Sequence, residues 1–122
     1  LEFQITGHEA ALLRCRVVVE GANGPTTPEG DAVLEARGIA VLPDILANGG
    51  GVVTSYFEWV QNRRSESWDL KEVDSQLKRR MVAAYGRVRA KAESLGVPYR
   101  IAALAAALDR LEAAYAERGI FP

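Results

Sequence analysis

Two short apolar runs, at residues 16–20 and 39–42, each lead directly into a turn built on asparagine and glycine, and this pairing most constrains the fold. Arg16-Val17-Val18-Val19-Glu20 is a compact β-branched run, suited to a strand buried on both faces of a parallel sheet. Gly21-Ala22-Asn23-Gly24-Pro25 then breaks the chain. Thr26 and Thr27 are both suited to cap a helix, Thr26 and Glu29 have capping-box spacing, and Pro28 fits the first helical turn. The helix predicted over residues 28–37 puts Ala32, Val33 and Ala36 on one face, and Gly38 ends it as a C′ glycine does. Ile39-Ala40-Val41-Leu42 forms a second strand, stopped by Pro43. Strand, helix and strand together occupy about 27 residues, which makes a minimal right-handed βαβ unit.

The rest of the chain reads as helix. Before the first strand, Ile5, Ala10, Leu12 and Leu13 suggest a short helical stretch, interrupted at Thr6-Gly7 and so starting near His8. After Gly49-Gly50-Gly51, the apolar and aromatic residues 52–62 are long enough for a helix, and residues 63–69 form a polar break. Leu70, Val73, Leu77, Met81, Ala84, Tyr85, Val88 and Ala92 recur at three- and four-residue spacing, the signature of a long amphipathic helix over residues 70–95. Gly96-Val97-Pro98 is a turn. A last helix over residues 99–118 repeats the stripe at Ile101, Leu104, Leu108, Leu111 and Tyr115. With 122 residues and no repeat or low-complexity tract, the expected organisation is one domain spanning residues 1–122.

Composition narrows the function classes. The chain is 48% hydrophobic and 25% charged, in the range of a folded protein, and its net charge of −1 supplies no basic field for nucleic acid. No apolar run approaches the ~20 residues needed to span a bilayer, and the single cysteine, Cys15, has no internal partner. A cytoplasmic location, with neither nucleic acid nor membrane as partner, is the expectation.

The turns carry the chemistry. In an open parallel sheet, ligands sit beyond the carboxyl ends of strands, where Gly21 and Asn23 follow the first strand and Asn48 and Gly50 follow the second. Glycine allows close backbone approach, and an asparagine amide offers both a donor and an acceptor. Three glycines ahead of a helix can turn backbone N–H groups toward an anion or carbonyl, and the Ser55 hydroxyl can add a bond to a carboxylate. An ordinary βα turn and a connection capped by Asn48 remain open as plainer readings. His8 lacks metal-ligand spacing and reads as a surface residue, and Cys15 as a small buried hydrophobe. Asp44 suits a turn, a cap or a ribose hydroxyl. Lys78-Arg79-Arg80 suits a solvated helix face, and Tyr56 with Trp59 a core or an interface. No G-x-G-x-x-G follows a strand, and neither a general acid–base nor an activated nucleophile stands near the glycine turns, so no catalytic residue is assigned and no metal is expected.

At EGANGPTTPE (residues 20–29), PDILANGGG (43–51) and SYFEWVQN (55–62) the chain resembles the hexameric glutamate dehydrogenase family. Its residues 100–122, closing in R-G-x-aromatic-P, look like that family's last helix. The resemblance implies the C-terminal part of the nicotinamide-binding domain. The implied fold is α/β: a partial Rossmann-like unit, of two or three parallel strands with helices, followed by a C-terminal helical hairpin. It implies reversible NAD- or NADP-dependent oxidative deamination of glutamate to 2-oxoglutarate and ammonia as the parent activity. Asn23 then looks like the cofactor-contacting asparagine, and Asn48 like the asparagine near the nicotinamide ribose. Ser55 matches the serine that bonds the substrate side-chain carboxylate, and Val52 the apolar wall beside it. The family usually carries alanine where this chain has Gly49, and V-T-V-S where it has Val52-Val53-Thr54-Ser55. The family's catalytic lysine and aspartate have no counterpart here. An isolated chain is therefore expected to be inactive and to associate with itself or with a full-length glutamate dehydrogenase subunit. A second reading, of a different class, is a stand-alone regulatory or accessory protein. Whether the chain alone holds NAD or NADP is left open by the sequence.

Overall fold

The computed structural model describes residues 2–119. The elements run α1 (Gly7–Leu12), β1 (Val17–Val19), α2 (Pro28–Ala36), β2 (Ala40–Leu42), α3 (Asp44–Ala47), α4 (Gly50–Arg64), α5 (Leu70–Leu95) and α6 (Tyr99–Arg118). The architecture is α/β, a partial Rossmann-like unit followed by a helical hairpin. β1 and β2 pair in parallel, with Val17 opposite Ala40, Val18 opposite Val41 and Val19 opposite Leu42. The N-terminal segment adds an isolated parallel bridge from Ile5 to Thr26.

The caps select among the sequence's options. Thr27, not Thr26, caps α2, its hydroxyl accepting from Gly30 N–H at 3.1 Å. The expected Thr26–Glu29 box does not form, because the buried Thr26 hydroxyl is committed to Glu20 instead. A capping box does form at α1, between Thr6 and Glu9, so Thr6-Gly7 starts that helix where an interruption was expected. Arg37 closes the other end of α1 by donating to the carbonyls of Ala10 and Leu13. Gly38 and Gly96 take φ of 67° and 64° after α2 and α5, the left-handed conformation that ends each helix.

Two apolar clusters hold the fold. Ala10, Leu34 and Ile39 join α1 and α2 to the sheet, with Ile5, Leu13, Val18, Val33 and Val41 packed around them. Leu46, Val88, Ala92, Ala102 and Ala103 join α3 to the α5–α6 hairpin, with Leu42, Ala84, Val97 and Tyr99 around them. Alanines at the α5–α6 crossing let the two helices approach closely. On the far side, Phe57 of α4 is buried, with its ring 5.7 Å from that of Trp68 and the Arg80 guanidinium 5.1 Å above it.

Burial departs from the pattern in four places. β1 is covered on one face only: Val18 meets the α1–α2 cluster, while Val17 and Val19 are 51% and 62% exposed. Alternate side chains of a strand point to opposite faces, and among the described residues no element covers the second one. On α2 the inward face is Gly30, Val33 and Leu34, while Ala32 and Ala36 are exposed. The α6 stripe of Ile101, Leu104, Leu108, Leu111 and Tyr115 faces outward, because α5 packs instead against the small face at Ala102 and Ala103. Cys15, expected inside, is exposed. Among the described residues no helix is long and apolar enough to cross a membrane. The closing Ile120-Phe121-Pro122 of the R-G-x-aromatic-P tail lies outside the described residues.

Candidate functional site

Both asparagine turns emerge at the carboxyl ends of the parallel pair, and side chains join them. Asn48 Nδ2 donates to Asn23 Oδ1 at 2.7 Å and to the Gly21 carbonyl at 3.3 Å. Among the described residues no hydrogen bond uses Asn23 Nδ2 or Asn48 Oδ1. The coupled pair therefore keeps one donor and one acceptor for a ligand. A Cβ built on Gly21 would meet nothing within 4 Å, so the chain's own packing does not demand glycine there.

The second turn is more structured than expected. Asp44 opens α3, a single turn that the sequence did not announce because it lies between Pro43 and the glycines. Asn48 ends α3 as its C-cap, and α4 starts at Gly50, two residues earlier than the apolar pattern suggests. A Cβ on Gly50 would lie 3.7 Å from Leu77 and 3.9 Å from Met81, so the start of α4 rests on α5. Val52 and Ser55 fall three residues apart on α4, both exposed, with Val52 at 71%. The Ser55 hydroxyl donates to the Gly51 carbonyl at 3.2 Å, which leaves its lone pairs free to accept. Tyr56 and Trp59 extend the same face, stacked with centroids 5.9 Å apart and exposed rather than buried in a core.

A charged network joins the two turns, and residue reading missed it. The Glu20 carboxylate, with no side-chain exposure, accepts from Thr26 Oγ1 at 2.5 Å, Asp44 N–H at 2.9 Å and Arg100 Nη2 at 2.7 Å. Asp44 Oδ2 accepts from Gly24 N–H at 2.8 Å, so each turn contributes a carboxylate to the other. Arg100 also grips Asp31 through Nε at 2.6 Å and Nη2 at 3.0 Å. Burial pushes the Glu20 carboxyl up, but bonds from Arg100, Thr26 and the Asp44 N–H outweigh it and hold the group below its usual range. The Gly24 N–H does most to lower Asp44. Asp31 and Glu20 push Arg100 further up, so it remains a cation.

One signal in the sequence pointed to this network. Arg100 lies in the first turn of a helix, where the dipole opposes a cation, and no acid stands three or four residues away. Such an arginine implies a distant partner. Of the other candidates, His8 is exposed, and Asp44 is the first residue of α3, whose N-cap is Pro43, with its carboxylate turned to the Gly24 N–H and to Arg100. Arg80 departs from a purely solvated face by lying over Tyr56 and Phe57. Among the described residues no group of three or more histidine, cysteine or acidic side chains is placed to hold a metal ion.

Comparison with known proteins gives a consistent result. A glutamate dehydrogenase of Thermotoga maritima is 49% identical over 122 residues, which is 100% of this chain and 29% of that protein. An NADP-specific glutamate dehydrogenase of Synechocystis is 48% identical over 119 residues, 98% of this chain and 28% of that protein. The crystal structure of glutamate dehydrogenase from Peptoniphilus asaccharolyticus superposes with a TM-score of 0.94 at 44% identity, covering 99% of this chain and 31% of that one. A hetero-hexameric glutamate dehydrogenase from Thermus thermophilus in its Leu-bound form gives 0.92 at 38% identity, covering 99% and 29%. The chain thus spans less than a third of the length of these relatives. The family described as Glutamate/Leucine/Phenylalanine/Valine dehydrogenase matches residues 1–119, and this chain belongs to that family.

Proposed function

We propose that this chain is the C-terminal portion of the nicotinamide-binding domain of a glutamate dehydrogenase, with residues 1–122 folding as one domain. In this reading Gly21, Asn23, Asn48 and Gly50 contact NAD or NADP, and Val52 and Ser55 line the adjoining site for glutamate or 2-oxoglutarate. The observation that carries it is the Asn48–Asn23 hydrogen bond, which presents both turns as one polar surface beyond the strand ends. The open space at Gly21 and the two unused amide atoms fit a ligand pressed against that surface. When bound, the cofactor supplies the hydride chemistry, and this chain's residues orient it and wall the substrate.

The lysine and aspartate that move protons in this family have no counterpart in the 122 residues. The chain alone therefore does not turn over glutamate, and its partners are the rest of a dehydrogenase and further copies in an oligomer. The outward apolar residues of α6 and the Val52, Tyr56 and Trp59 face of α4 support such partners. The test is a graft in which this chain replaces the equivalent segment of the Thermotoga maritima enzyme. The graft is expected to reduce NAD(P) with glutamate while the chain alone does not. An assembled graft without turnover, or turnover by the highly purified chain, overturns the reading.

A further inference from the structure

The Arg100 guanidinium joins three carboxylates from separate parts of the chain: Glu20 at the end of β1, Asp31 on α2 and Asp44 at the start of α3. Two of these acids also accept backbone N–H groups, and they do so reciprocally. Glu20, in the first turn, holds the Asp44 N–H of the second, while Asp44 holds the Gly24 N–H of the first. The turns that carry Asn23 and Asn48 are thus cross-linked through two carboxylates, and one cation from α6 ties both.

We infer that Arg100 is a positioning residue for the Asn23–Asn48 pair. It sets the spacing of the two turns through Glu20 and Asp44 without touching either asparagine. The inference rests on the proposed role of those asparagines as cofactor contacts. Three carboxylates and one guanidinium leave a local formal charge of −2 (−3 and +1). Removing the cation leaves the buried Glu20 carboxylate without its ionic partner, a costly state relieved by protonation or by opening of the turn. Charge alone does not replace arginine. Its planar fork reaches Asp31 through Nε and Nη2 while Nη2 also reaches Glu20, and a lysine ammonium is a single point that cannot span this arrangement. Arg100→Lys therefore separates charge from geometry.

The experiment compares the wild-type chain with Arg100→Lys and Asp31→Asn. The shift and exchange rate of the Asn48 side-chain amide are followed by NMR, and cofactor KM is measured in the graft. In Arg100→Lys the Asn48 amide is expected to move to a solvated shift and to exchange faster. The KM for NAD(P) should rise between about 10- and 100-fold, with little change in the KM for glutamate. Asp31→Asn should act in the same direction more weakly, since among the described residues the Asp31 carboxylate enters this network only through Arg100. An unchanged Asn48 amide in both folded variants overturns the inference. Should Arg100→Lys fail to fold, Asp31→Asn decides alone. A wild-type graft that binds no cofactor defeats the proposed role of the turns, while the amide signal still decides whether Arg100 positions them.

Discussion

Asn48 and Asn23, 25 positions apart, meet side chain to side chain at 2.7 Å, and that contact turns two separate glycine turns into one surface. It forms because β1 and β2 are adjacent and parallel, so their carboxyl ends open on the same side. The bond lies near solvent, where a hydrogen bond adds little net stability, so its value lies in orientation.

Asn48→Ala should therefore separate binding from stability. Losing two hydrogen bonds at this half-exposed position should cost about 1 kcal/mol or less. In the graft, cofactor KM should rise while the unfolding midpoint in urea hardly moves. A large midpoint shift with unchanged KM would make Asn48 a structural residue.

Gly30 is required by packing. A Cβ there would lie 2.4 Å from the Ile5 carbonyl oxygen, closer than real Cβ atoms approach, and 3.0 Å from Thr26 Cγ2, a tight contact. Gly30→Ala should push the N-terminal segment off α2, break the Ile5–Thr26 bridge and destabilise the chain by roughly 1–3 kcal/mol or more. Urea unfolding measures it, with early exchange of the Ile5 and Thr27 amides as the local sign.

Gly49 behaves in the opposite way. Its φ of −60° is ordinary helical backbone, and a Cβ would lie 3.5 Å from Leu46 O and 3.6 Å from Ile45 O, normal contact distances. Gly49→Ala should stabilise by about 0.4–1 kcal/mol by restricting the unfolded chain. A loss of stability on thermal unfolding would show that the loop needs the freedom of glycine.

Acid should weaken the fold through Glu20 and Asp44. Both carboxyls are held below their ordinary values of 4.5 and 3.8 in the folded chain. A lowered native pKa gives stability that is complete above the unfolded value and lost as pH falls through the folded one. The urea midpoint should therefore drop as pH falls below 4.5, and Glu20→Gln should make that acid limb shallower. An equally steep limb in the variant would show that other groups dominate.

Much of the framework was legible in the sequence because it rests on local chemistry. Gly38 and Gly96 end their helices since only glycine takes positive φ without strain, and the apolar spacing of residues 70–95 reproduces α5 residue for residue. The resemblance to the family marked Asn23, Asn48 and Ser55 as candidate contacts. Burial was less legible. Periodicity identifies an apolar face but not its neighbour, so Val17 and Val19 were expected inside and lie outside, and the α6 stripe faces outward although its spacing matches that of α5.

By itself the sequence determined the order of elements apart from α3, the parallel strand pair and the family, because caps, turn residues and hydrophobic period act over a few positions. Only the tertiary structure decided that Thr26 serves Glu20 instead of a helix cap, that Arg100 reaches across 80 positions to Glu20, and that the two asparagines meet. Those contacts depend on where distant elements come to rest. No local propensity records that placement, and the buried Glu20 carboxylate makes it specific, since a charge without its partner is too costly to leave there.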